Sequence, residues 1–167
     1  MLRSWIALGV VGALGGCGEL PGKEVGTYQV LATLEESTCG PSVGDEERAF
    51  DVQIRRDGQV GYWIGPSQVP VQGRIDEEGN FTFRTSEQIL VREGDDSIGL
   101  APCMMDQVDL AEGTADAGLS GSEHLWIGST SGADCRDQVG LMPGQFIALP
   151  CEMSFTLAGE GPETGAQ

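Results

Sequence analysis

The chain is poor in positive charge, in imidazole and in aromatic rings. Nine Lys and Arg stand against 26 Asp and Glu among 167 residues, a formal charge of −17, and there is one His, His124. So few cations cannot displace the counterions condensed on a phosphate backbone, which excludes a general nucleic-acid binder. A single imidazole confines any Ser–His–Asp or Cys–His relay to His124, and no G-x-S-x-G nucleophile elbow is present. There is no C-x-x-C pair of the kind zinc and redox sites use, no internal repeat and no helical 3.6-residue pattern of useful length. What is plentiful is punctuation: 26 Gly and 8 Pro leave little room for long helices and imply many turns. The length fits one domain, and a hydrophobic fraction of 40% can build its core.

The one long apolar run lies at the start. Arg3 precedes Trp5–Leu14, and two Gly separate that run from Cys17. A bilayer core demands about 20 apolar residues, so the run is too short to span and reads as an export signal ending in small residues. Leu14-Gly15-Gly16-Cys17 resembles the bacterial lipobox. The resemblance implies that Cys17 carries diacylglycerol and further acyl chains, and that residues 1–16 are removed. Gly18 stands where that family's inner-membrane retention signal has Asp, which implies the outer membrane. Residues 17–25 are then a lipidated Cys and polar tether, 26–158 the folded domain, and 159–167 a tail with too little apolar surface to stay ordered.

Between these ends the hydropathy alternates with a period of two. Tyr28, Val30, Ala32 and Leu34 share one face of a strand, as do Phe50, Val52 and Ile54 of the next. Asp57-Gly58 marks a tight hairpin into Val60–Ile64, and Val69–Ile75 follows, with Pro70 placing it at an edge, a bulge or a strand start. Phe81–Thr85 comes after the turn Asp76–Asn80, with Gln88–Arg92 as its continuation or a separate strand. Gln107–Glu112 and Leu119–Gly128 are further strands, a Gly-rich loop spans 129–145, and Cys151, Met153, Phe155 and Leu157 alternate along the last. Eight or so short strands joined by turns describe an all-β, antiparallel up-and-down barrel, with a β-sandwich as the alternative. Consecutive hairpins favour the barrel, because closure removes exposed edges.

The remaining cysteines, Cys39, Cys103, Cys135 and Cys151, are even in number, and in an exported chain they are expected to form two disulfides. Four Cys allow three connectivities, and barrel closure selects one. A first strand ending near Cys39 beside a last strand starting at Cys151 brings those two to one rim. Cys103, just before the strand at 107–112, and Cys135, just after the strand at 119–128, lie at one end of one hairpin. The expected pairs are Cys39–Cys151 and Cys103–Cys135.

Gly26-Thr27-Tyr28 resembles the G-x-W signature that opens the first strand of lipocalins and calycins, with Tyr in place of Trp. Together with Thr38-Cys39-Gly40-Pro41 and Leu149-Pro150-Cys151, it also resembles short lipoproteins of the myxobacterial type. These resemblances imply a lipid-anchored envelope location and a barrel, without an activity. A barrel of about eight strands can hold one small ligand, and Tyr28, Tyr62, Trp63 and Trp126 are the candidates to line such a cavity.

Other candidate chemistry has simpler readings. His124 in a strand reads as a surface residue, and Glu35-Glu36, Glu46-Glu47, Glu77-Glu78 and Asp95-Asp96 read as solvated turns and strand ends. Asp76-Glu77-Glu78-Gly79-Asn80 departs from the spacing of an EF-hand and reads as a hairpin turn. The expectation is a non-enzymatic envelope lipoprotein without cofactor or metal, acting as a binding or interaction module; a structural or protein-partner lipoprotein is the alternative, and a hydrolase the more distant one. Its partners would be membrane lipid, through the acyl anchor, and either a small apolar ligand or an envelope protein. Mass spectrometry of the protein from its native envelope should find residues 1–16 absent and Cys17 acylated; an unmodified Met1 start would refute the anchor.

Overall fold

The computed structural model describes residues 20–41, 43–142 and 145–161; the expected export signal, Cys17 and residues 162–167 lie outside them. Eight strands follow in chain order: β1 (Lys23–Ser37), β2 (Glu47–Asp57), β3 (Val60–Ile64), β4 (Pro70–Ile75), β5 (Asn80–Arg92), β6 (Cys103–Ala115), β7 (Gly118–Ser129) and β8 (Cys151–Glu160). Each pairs antiparallel with the next, and β8 returns to pair with β1, closing an up-and-down barrel. The only helical element among the described residues is one 3-10 turn, Arg136–Gln138.

The alternation read from the sequence becomes the inside and outside of this barrel. Tyr28, Val30 and Ala32 of β1, Val52 and Ile54 of β2, and Met153, Phe155 and Leu157 of β8 are buried. Side chains of this size contribute roughly 1.5–3 kcal/mol each when fully buried. One end of the barrel, the floor, has short turns: Gly58-Gln59, residues 76–79 and Asp116-Ala117. There the Asp76 carboxylate accepts bonds from the Asn80 backbone N–H and side-chain amide, which makes Asp76–Asn80 the hairpin turn expected of it. The other end, the mouth, carries the long connections 38–46, 65–69, 93–102 and 130–150. Where inward rings need space the sequence supplies glycine. A Cβ at Gly73 would collide with the Phe83 ring and the Thr82 carbonyl, and one at Gly113 with Phe81 and the Ser120 carbonyl.

Several boundaries differ from the sequence expectation, and each difference follows from pairing. Lys23–Val25 belong to β1 and not to a tether, because Lys23 and Glu24 lie opposite Arg56 and Arg55 of β2. Arg55 also donates to the carbonyls of Pro21 (2.8 Å) and Gly22 (2.6 Å), so the chain is held to the floor before the strand begins. Gly159 and Glu160 belong to β8 and not to a disordered tail, since backbone ladders to β1 and β7 hold them whatever their hydropathy. Gln88–Arg92 continues β5, and the strand at 107–112 extends over Cys103–Ala115 because β5 and β7 pair along its whole length. Pro70 is the first residue of β4, where its missing N–H costs no ladder bond.

Both expected disulfides are present at the mouth. Cys39 and Cys151 have Cα atoms 4.9 Å apart, and Cys103 and Cys135 are 4.7 Å apart. The first closes 112 residues of sequence and the second 32. In the chain-entropy picture, replacing Cys39 and Cys151 by Ser should cost about 1 kcal/mol more stability than replacing Cys103 and Cys135, read by urea unfolding.

Candidate functional site

The barrel wall is uneven between β4 and β5. These strands pair only through Gly73–Phe83, Arg74–Thr82 and Ile75–Phe81, at the floor. Above Phe83, β5 runs on to Arg92 paired with β6 alone. The short β4 cannot follow it, so the mouth half of the barrel opens as a seam. Behind the seam is a cavity of about 420 Å³, within the range of small-molecule sites.

Its walls combine two chemistries. Phe50, Trp63, Val71 and Phe83 supply apolar surface, with Pro66 and Thr85 at the opening. Trp63 is the centre of an aromatic cluster, its ring centroid 5.6 Å from that of Phe83, 5.8 Å from Phe81 and 6.4 Å from Phe50, all tilted. Opposite stand three charged groups, Arg48 of β2, Asp109 of β6 and Glu123 of β7. The Arg48 guanidinium donates to Glu123, and its carbon lies 4.5 Å from the centroid of Phe155, a cation–π distance. Glu123 is the one charged residue among the described residues that is almost wholly buried.

Asp109 is less well served. Burial, then the negative charge of Glu123 and a hydrogen bond shared with it, push its carboxyl up to about 7; Glu87 adds to the shift and Arg48 opposes it. Its Oδ1 is buried with no hydrogen-bond partner among the described residues, and so is Arg48 Nε. Unsatisfied buried polar atoms cost about 1–3 kcal/mol each, so they are uncommon without a role.

Of the four aromatic candidates, the structure puts only Trp63 at the cavity. Tyr28 is inward but sits in the packed floor, where its hydroxyl donates to the Asp116 carbonyl at 3.2 Å and burial raises its pKa. Tyr62 and Trp126 are corrections. Each lies one residue from an inward position, Tyr62 beside Trp63 and Trp126 between Leu125 and Ile127, so the two-residue period turns both outside. Trp126 folds over Gly128 on the outer surface, opposite Val108. His124 is likewise exposed and outward, on the opposite face of β7 from Glu123. No group of three or more His, Cys, Asp or Glu is placed to hold a metal ion among the described residues.

Sequence reasoning missed Arg48, Asp109 and Glu123. Arg48 was within reach, on the same alternating face as Phe50, Val52 and Ile54. Glu123 was too, on the same alternating face as Leu119, Leu125 and Ile127, whereas Asp109 gave no such signal because its neighbours Val108 and Leu110 are the more apolar residues. No family model, curated protein or solved structure matches this chain.

An unfolded Asp ionises near pH 3.9, so between about pH 4 and 7 the folded protein retains a proton that the unfolded chain releases. The contribution of Asp109 to stability therefore falls with rising pH across that window, and the deficit is constant above it. Relative to the parent, Asp109→Asn should gain on the order of 2–4 kcal/mol between pH 4 and pH 7 and then level off. Urea titrations at stepped pH measure this.

Proposed function

We propose that this protein is a non-enzymatic lipoprotein of the bacterial envelope that holds a small, largely apolar ligand in its barrel. The observation that carries the reading is the cavity itself: about 420 Å³, walled by Phe50, Trp63, Val71 and Phe83, with a few polar groups converging at one side. That combination is the usual character of a ligand site, and a barrel of about eight strands has room for one guest. The lipocalin resemblance of Gly26-Thr27-Tyr28 points the same way.

The anchor reading fits the same geometry. Arg55 holds Pro21 and Gly22 at the floor, so only three residue steps separate Cys17 from Leu20, a reach of at most about 11 Å. Acyl chains on Cys17 would hold the floor near the outer membrane and turn the mouth away from it. A second reading is a protein partner in the envelope docking at the mouth. It is favoured by the exposed apolar residues that ring the mouth, among them Val69, Leu90, Ile98 and Leu141.

In the processed Trp126→Phe variant Trp63 is the only tryptophan. The neutral probe N-phenyl-1-naphthylamine should quench its fluorescence saturably with one site, and Thr85→Phe at the seam should weaken binding at least tenfold. Absence of saturable quenching would reject the carrier reading.

A further inference from the structure

The cavity carries unequal charge. The ionisable groups facing Asp109 are Arg48 from β2, Glu87 from β5 and Glu123 from β7; β3, β4 and β8 contribute Trp63, Val71 and Phe155 to this region. Arg48 is bonded to Glu123 and set against the face of Phe155, with only its Nε left without an acceptor among the described residues. Asp109 and Glu87 are left without an ion-pair partner among the described residues. Oδ1 of Asp109 also lacks any hydrogen-bond donor there.

Each class of guest meets this set differently. A carboxylate or phosphate would add like charge beside Glu87 and Glu123, and its attraction to Arg48 would compete with an existing pair. An alcohol would supply a neutral hydrogen bond but leave the excess negative charge. An ammonium group would donate to the Asp109 carboxylate in a charge-assisted bond and balance its charge. The neighbouring faces of Phe50, Trp63 and Phe83 suit both an apolar chain and the polarised carbons next to a cationic nitrogen.

We propose that the cavity selects an organic amine, its apolar part against Trp63, Phe50 and Phe83 and its protonated nitrogen at the Asp109 carboxylate. This inference rests on the carrier reading and adds the chemical class of the guest. Because Asp109 must lose its proton to bind the cation, protons compete with the amine, and binding weakens as pH falls through about 7.

The test compares octylamine, octanol and octanoate, equal in chain length, as competitors of N-phenyl-1-naphthylamine in the Trp126→Phe protein. At pH 8 octylamine should compete at least tenfold more strongly than either of the others. It should lose at least tenfold of that strength at pH 5.5, a readout that needs no further variant. Asp109→Asn should bring octylamine to the level of octanol and remove the pH dependence. Octanoate or octanol competing as well as octylamine would overturn the amine assignment and leave the carrier reading standing. Failure of the naphthylamine probe itself to bind would reject both.

Discussion

The ladder between β1 and β8 is the constraint on which the rest depends. Without it the eight strands would be an open meander with two unpaired edges; with it, inside and outside are fixed for every residue around the ring. A one-residue slip of a strand would exchange its faces. In β6 and β7 such a slip would remove Asp109 and Glu123 from the interior but would also expel Met105, Ala111, Leu119, Leu125 and Ile127, all buried in the observed register. Two further features hold the register. The Cys103–Cys135 bond fixes the mouth end of this hairpin, and Gly113 lies opposite Gly121 near the floor, where neither position has room for a Cβ.

The interior is therefore divided. The floor half is dry and filled by Tyr28, Ile75, Phe81 and Leu157, while the mouth half holds an ion pair, an orphaned carboxyl oxygen and open volume. Stability comes from the first and is diminished by the second. The packed floor, the closed ladder and two cross-links at the mouth together let a barrel tolerate an interior carboxyl that resists ionisation.

Much of this fold was legible in the sequence because its signals are local. Alternation in β1, β2 and β8, the Asp57-Gly58 turn and the Cys39–Cys151 and Cys103–Cys135 pairs all follow from a period of two and from strand order. The cavity was legible only at Trp63. Choosing aromatics by residue type placed Tyr62 and Trp126 at a site that their parity in the strand denies them. Asp109 was hidden for a different reason, since its immediate neighbours Val108 and Leu110 are more apolar than it is, whereas Glu123 shares the alternating apolar face of Leu119, Leu125 and Ile127 and could have been read there. The seam has no local signature at all, since it arises from the mismatch in length between β4 and β5.

The two ends of the barrel also differ in how freely they can change. Both described ends of the chain, Leu20 and Gly161, leave from the floor, while the long connections gather at the opposite pole and are tied down by disulfides. Mouth loops can lengthen, shorten or exchange residues without disturbing the tight turns below, because loop-closure entropy grows only slowly with length. The architecture thus behaves as a socket with a fixed mount and an interchangeable collar, on which new recognition can be assembled while the base is left alone.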